Sequence, residues 1–147
     1  DALVLLRGHE TAGDTGPDVD WEALARLDGT IAAYTNGRQA AAILDRLIKH
    51  GRPASSPAAL IYDGTLPQQQ TVTGTLAELA AGADGGDRPA LLVVGDVAGL
   101  RAHLRWYDQR PLFGKRIVVT RSREQARGLV EQLEGLGAQT IEAPTFR

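Results

Sequence analysis

Cysteine is absent from all 147 residues. That excludes disulfides and thiolate metal centres, and it fits a cytoplasmic protein. Apolar runs are short, and none approaches the roughly 20 residues that a helix needs to cross a bilayer, so no membrane partner is expected. Positive charge is not in excess: 16 Lys and Arg stand against 18 Asp and Glu, a formal net charge of -2. A nucleic-acid-binding surface normally shows a basic stripe, so no nucleic-acid partner is expected either. The histidines His9, His50 and His103 lie far apart, and no His/Asp/Glu spacing matches a metal site. Neither G-x-G-x-x-G nor G-x-x-x-x-G-K-[ST] occurs, which removes the familiar phosphate-cradling loops. Internal repeats, low-complexity tracts and heptads are lacking. An initiator methionine is lacking too, and the chain begins inside an apolar run, so it reads as a piece of a longer protein.

What is present supports a packed core, with 43% hydrophobic residues in a length suited to one domain of common size. The organising stretch runs from Ala58 to Leu76. It opens with four apolar residues, breaks at Asp63-Gly64, turns at Pro67 and resumes as a Thr/Val-rich run. Glycine at the break is expected to supply a positive φ and to let a ligand approach the backbone closely. Asp-Gly followed by Pro marks a loop, and Thr75-Leu-Ala-Glu78 reads as a capping box for the next helix. An ordinary turn between two strands is the plain alternative for the same residues.

The other elements follow from periodicity and punctuation. Ala2–Leu6 is a short buried-strand pattern, and Asp20 is an N-cap for a segment from Trp21 to Leu27. Thr30–Tyr34 predicts a strand. Arg38–His50 predicts a helix, with Ala40, Ile43, Leu44, Leu47 and Ile48 on one face and Gly51 at its stop. Thr75–Ala81 predicts a second helix and Ala90–Val94 a buried strand, after which a helix is expected from Gly95-Asp96 to about Trp106. Tyr107–Gly114 looks like a boundary. Beyond it, Arg116–Thr120, Ser122–Leu136 and Gln139–Ala143 form a β-α-β unit that needs further strands to bury its sheet faces. The fold class is therefore α/β, a mixed sheet flanked by helices and then the leading edge of a second domain.

Ligand groups in open α/β sheets collect at strand ends. Three places qualify: Gly8-His9-Glu10, Tyr34-Thr-Asn-Gly37, and Asp63-Gly-Thr65. Each has a structural alternative: loop structure for His9, a helix N-cap for Asn36, a plain turn for Gly64. His50 reads as a cation at a helix C-terminus, Trp106-Tyr107 as a packing anchor, and Arg121-Ser-Arg123 as a solvated helix start. None of these residues names a chemistry by itself.

In combination, an ordered set of short stretches resembles the C-terminal half of the uroporphyrinogen-III C-methyltransferases, tetrapyrrole methylases that use S-adenosylmethionine. They are Gly8-His9-Glu10, Asp20-Trp21-Glu22, Tyr34-Thr-Asn-Gly-Arg-Gln-Ala40, Asp63-Gly-Thr-Leu-Pro-Gln-Gln69, Thr73-Gly-Thr-Leu76, Pro89-Ala-Leu-Leu-Val-Val-Gly-Asp-Val97 and Leu104-Arg-Trp106. Pro111–Arg121, with Arg123-Glu-Gln125 after it, resembles the opening of uroporphyrinogen-III synthase. The implied organisation is residues 1–107 as methylase C-terminal subdomain, 108–114 as linker, and 115–147 as the first βαβ unit of the synthase. The implied activity is C-methylation of uroporphyrinogen III to precorrin-2, in a homodimer of two-domain subunits with S-adenosylmethionine between the domains. Cofactor contacts carry over to Tyr34, Thr35, Asn36, Gly64, Thr65, Pro89 and Ala90; Gly8 and His9 are the substrate-side candidates. Thr35 stands where the family usually has Met, and Asn36 where it usually has Gly. A β-branched polar residue lacks the flexible apolar contact that Met supplies. The alternatives are another tetrapyrrole methylase, a diphthine synthase-like enzyme, or a non-catalytic dimerisation or binding module.

Overall fold

The computed structural model describes residues 2–7, 19–82 and 86–144, and Gly8, His9 and Glu10 lie outside them. The chain divides into two compact units, Asp1–Gly64 with Gln70–His103, and Thr65–Gln69 with Leu104–Arg147.

The first unit is built on a five-stranded mixed sheet. Its strands are β1 (Ala2–Arg7), β2 (Gly29–Asn36), β3 (Pro57–Tyr62), β4 (Gln70–Thr75) and β5 (Pro89–Val94), in the order β1-β2-β5-β3-β4. β1 runs parallel to β2, while β5 is antiparallel to both β2 and β3, and β4 is antiparallel to β3. The expected mixed sheet is therefore present. Side chains alternate between faces along each strand. Register puts Leu6, Ala33 and Leu92 in line on one face, joined by Leu60, and all four are buried.

Helices α1 (Trp21–Ala25), α2 (Gly37–Lys49) and α3 (Leu76–Gly82) supply the other side of this core through Leu24, Ala40, Ile43, Leu44, Leu47, Leu76 and Leu79. Each Leu or Ile fully removed from water contributes about 1.5–3 kcal/mol before entropy is counted, so the α2 stripe is the main anchor of the unit. On the opposite face Leu3 and Leu5 of β1 are 63% and 65% exposed, so the strand expected to be buried over Ala2–Leu6 is buried at Leu6 alone, and Tyr34 is exposed as well.

Helix ends explain why the elements begin and stop where they do. Asp20 Oδ1 accepts from Ala23 N–H, capping α1. Asn36 Oδ1 accepts from Gln39 N–H at 2.9 Å, so the N-cap reading of Asn36 holds for α2. At the other end Gly51, with φ 104, receives the chain as it leaves the helix. Gly51 N–H donates to Ile48 O and Arg52 N–H to Leu47 O, the two bonds of a Schellman ending. α3 opens with the expected capping box: Glu78 N–H donates to Thr75 Oγ1, and Thr75 N–H donates back to Glu78 Oε2. The bonds to Thr75 hold the Glu78 carboxyl below its ordinary range. Ser56 O and Ala54 O take the N–H groups of Leu76 and Ala77, so the first turn is fully satisfied.

One expected element differs. The segment after β5 is not a continuous helix to Trp106 but a 3₁₀ turn, Asp96–Leu100, followed by a single α turn, α4 (Arg101–Leu104). Gly95 enters it at φ 128 without a side-chain cap, and Gly99 sits inside it, so little in the sequence favours α over 3₁₀ geometry there.

In the second unit β6 (Arg116–Val119) and β7 (Gln139–Glu142) pair in parallel through α5 (Arg123–Gly135), as the β-α-β reading expects. Tyr107 is an anchor, as expected. Its hydroxyl donates to Thr65 O, Arg110 lies 4.0 Å over its ring, and Phe113 meets it edge-on. Trp106 is not an anchor in the same sense, being 73% exposed, with its ring meeting that of Tyr107 edge-on.

Candidate functional site

Strand register gathers the described cofactor-contact candidates of the first unit at one end of its sheet. Thr35 pairs with Ala90 and Asn36 with Pro89, across the end of β2 and the start of β5. Tyr62, the last residue of β3, pairs with Ala90 from the other side. Asp63 then donates its N–H to Pro89 O at 3.4 Å, which brings Asp63-Gly64 to the same rim. Tyr34, Thr35, Asn36, Gly64, Pro89 and Ala90 are thus neighbours in space although 56 positions separate the first from the last. Thr65 belongs to the second unit, where its N–H donates to Gln69 Oε1 and a Leu66-to-Gln69 turn forms around Pro67.

The rim has an exposed layer and a buried one. Tyr34, Gly64 and Pro89 are exposed, while Ala90, Tyr62 and Thr35 are buried beneath them. Thr35 is 6% exposed and shares the helix-packed face with Ile31 and Ala33; its hydroxyl donates to Asn36 O. What Thr35 offers a ligand is therefore backbone. The first N–H groups of α2 are also engaged, Gln39 by the Asn36 cap and Arg38 by Gly86 O.

Gly64 corrects the sequence expectation about backbone freedom. Positive φ falls on its neighbours, Asp63 at 47° and Thr65 at 68°, and not on Gly64. A Cβ on Gly64 would meet Ile61 Cγ2 at 3.5 Å, an ordinary contact, so no close packing requires glycine there. The left-handed conformation costs an L residue about 1–2 kcal/mol, less for Asp, whose short side chain bonds locally. Asp63 is held by Arg88, whose Nη2 lies 2.5 Å from Asp63 Oδ2.

Two residues at this end were missed in the sequence. Arg88 precedes Pro89 and is linked to Asp63 across 25 positions, a separation that no local pattern reveals. Gln39 carries a buried Oε1 with no hydrogen-bond partner among the described residues. Its presence inside the Tyr34–Ala40 match was the available signal. A buried acceptor without a donor is costly and is satisfied by water or by a ligand. No group of three or more metal-ligating side chains occurs among the described residues. The groups exposed at this rim are an aromatic ring at Tyr34 and the backbone at Gly64, which suit binding.

A hollow of about 490 Å³ lies at the other end of the sheet, lined by residues that include Gly29, Thr30, Arg52 and Asp96. Arg52 is already committed there to Leu27 O and Gly29 O, and none of the strand-end candidates among the described residues lines it.

Residues 1–80 match the family model of the tetrapyrrole (corrin/porphyrin) methylases. Siroheme synthase of Neisseria meningitidis serogroup C is 45% identical over 108 residues, covering 74% of this chain and 22% of that protein. Siroheme synthase 1 of Yersinia pseudotuberculosis is 46% identical over 110 residues, 75% of this chain and 23% of that one. The chain thus spans under a quarter of the length of these relatives. Among solved structures, uroporphyrin-III C-methyl transferase of Thermus thermophilus complexed with S-adenyl homocysteine superposes with a TM-score of 0.54 at 22% identity, covering 67% of this chain and 43% of that one. Cobalt precorrin-4 methyltransferase gives 0.53 at 22%, covering 64% and 40%. The α/β fold with its mixed, helix-flanked sheet is the one these methyltransferases share, and by its sequence the chain belongs to the tetrapyrrole (corrin/porphyrin) methylases.

Proposed function

We propose that this chain is the cofactor-side part of an S-adenosylmethionine-dependent C-methyltransferase whose substrate is uroporphyrinogen III and whose product is precorrin-2. The observation that carries the reading is the convergence of three separately matched segments, Tyr34–Asn36, Asp63-Gly64 and Pro89-Ala90, on one sheet rim. The sulfonium cofactor supplies an electrophilic methyl group when bound. Tyr34 offers a flat exposed face to a heteroaromatic base, and Gly64 and Pro89 an accessible backbone. None of these groups is a nucleophile, and none is needed: methyl transfer from a sulfonium to a pyrrole carbon depends on in-line positioning of donor and acceptor. The identity with siroheme synthases supports uroporphyrinogen III over other tetrapyrroles, because the fold likeness is equal for a cobalt-precorrin enzyme. A homodimer belongs to the same reading.

The second unit we read as the opening of a uroporphyrinogen-III synthase. Its two-stranded parallel sheet leaves Val118 and Ile141 exposed, and parallel sheets are stable when both faces are covered, which favours further strands from the whole protein.

Calorimetric titration of S-adenosylhomocysteine into the whole gene product tests the site. Gly64→Val is expected to weaken binding at least tenfold with little change in melting temperature, since the new side chain has room against Ile61 and projects at an exposed position. Unchanged affinity in a folded variant would remove the Gly64 contact. With labelled S-adenosylmethionine and uroporphyrinogen III, the whole protein is expected to turn over and the 147-residue chain alone to stay at background.

A further inference from the structure

Arg88 is outside every residue match to the family's cofactor contacts, yet it ties together the elements that form the rim. Its Nε donates to Asp63 Oδ2 at 2.7 Å, and its Nη2 lies 2.5 Å from the same oxygen. Its Nη1 donates to Gln70 Oε1 at 2.8 Å, and its guanidinium carbon lies 5.0 Å above the centre of the Tyr62 ring. One side chain, placed just before β5, thereby holds the end of β3 and the start of β4.

This differs from a casual surface ion pair, in which both partners are solvated and mobile. Arg88 and Asp63 are only 34% and 20% exposed, and the ring stacks beneath the guanidinium. Asp63 is also in the left-handed region, a conformation that persists where surrounding contacts over-determine it. Fixing Asp63 fixes the peptide that joins it to Gly64. A planar fork can do this in a way that a flexible ammonium cannot.

We propose that Arg88 is a positioning residue for the methyl-donor site: by clamping Asp63 against Tyr62 and Gln70, it presents the Gly64 backbone to the cofactor in one orientation. This rests on the reading of the rim as the cofactor site. Arg88 touches neither the cofactor nor the substrate in this role.

The test measures S-adenosylhomocysteine affinity by calorimetry in the whole gene product, alongside thermal melts and amide hydrogen exchange. The proteins compared are wild type, Arg88→Ala, Arg88→Lys, Asp63→Asn, the Arg88→Ala/Asp63→Asn double variant, and Gly64→Val. Arg88→Ala and Asp63→Asn are each expected to weaken binding about tenfold, the size of effect that releasing one strained residue gives. The double variant should be no weaker than the worse single one, because both remove the same contact. Arg88→Lys should recover only part of the affinity. Exchange at the Asp63 amide should quicken in Arg88→Ala while the β3 amides stay protected, a separation that general destabilisation does not produce. If Gly64→Val weakens binding but folded Arg88→Ala does not, the clamp is overturned and the cofactor site stands. Independent, additive losses in the double variant also overturn it. If wild type does not bind at all, the site reading falls and the clamp falls with it.

Discussion

Thr35 shows how a one-residue difference in strand position decides what a side chain can do. It follows the exposed Tyr34, so the pleat turns it to the helix-packed face, where it is buried in line with Ile31 and Ala33. By letters alone, a Thr in place of a Met lacks an apolar contact with the cofactor. By position, the side chain is already enclosed, 6% exposed, beside its strand partner Ala90. Thr35→Met is accordingly expected to overpack the core and lower stability by about 1–3 kcal/mol, with no gain in S-adenosylhomocysteine affinity. Urea melts beside calorimetry check both parts; tighter binding at equal stability would show that the side chain faces the ligand after all. At this scale the sequence located the rim residues but not the faces on which they lie. Arg88 and Asp63 illustrate the larger gap, since their pairing depends on how β3 and β5 are laid side by side.

Elements were legible wherever local chemistry decides them. The Asn36 cap, the α2 stripe, Gly51 at its end and the Thr75–Glu78 box are each read from residues within one or two helical turns. Elements governed by weak propensity were not: the 3₁₀ turn at Asp96–Leu100 contains Val97 and Gly99, neither a strong helix former. The strand order β1-β2-β5-β3-β4 was hidden too, because the insertion of β5 between β2 and β3 is set by burial across the whole sheet. The capping box also carries a pH signature. Glu78 is held below its ordinary range by its bonds to Thr75, the backbone bond first. A lowered folded value means that its contribution is present above the unfolded value and is lost as pH falls through the folded one. The melting-temperature difference between wild type and Glu78→Gln should therefore be largest near neutrality, and should shrink on acidification below the usual glutamate range. A difference independent of pH would mean that the carboxylate charge plays no part in the cap.

At the scale of the whole molecule, the first unit has one well-buried face and one that is partly bare. Helices cover the first, whereas β1, an edge strand of the sheet, turns Leu3 and Leu5 outward. A paired edge is harmless, but an open edge with apolar side chains is a template for another chain. For the 147-residue chain by itself this has a colloidal consequence: how much of it stays in solution should depend on one strand more than on its formal charge of -2. Leu5→Lys puts a charge on the bare face without touching the buried Leu6, so it should raise the concentration at which light scattering begins and leave the melting temperature within a degree or two. Equal scattering from the two proteins would mean that β1 is not where the chains meet.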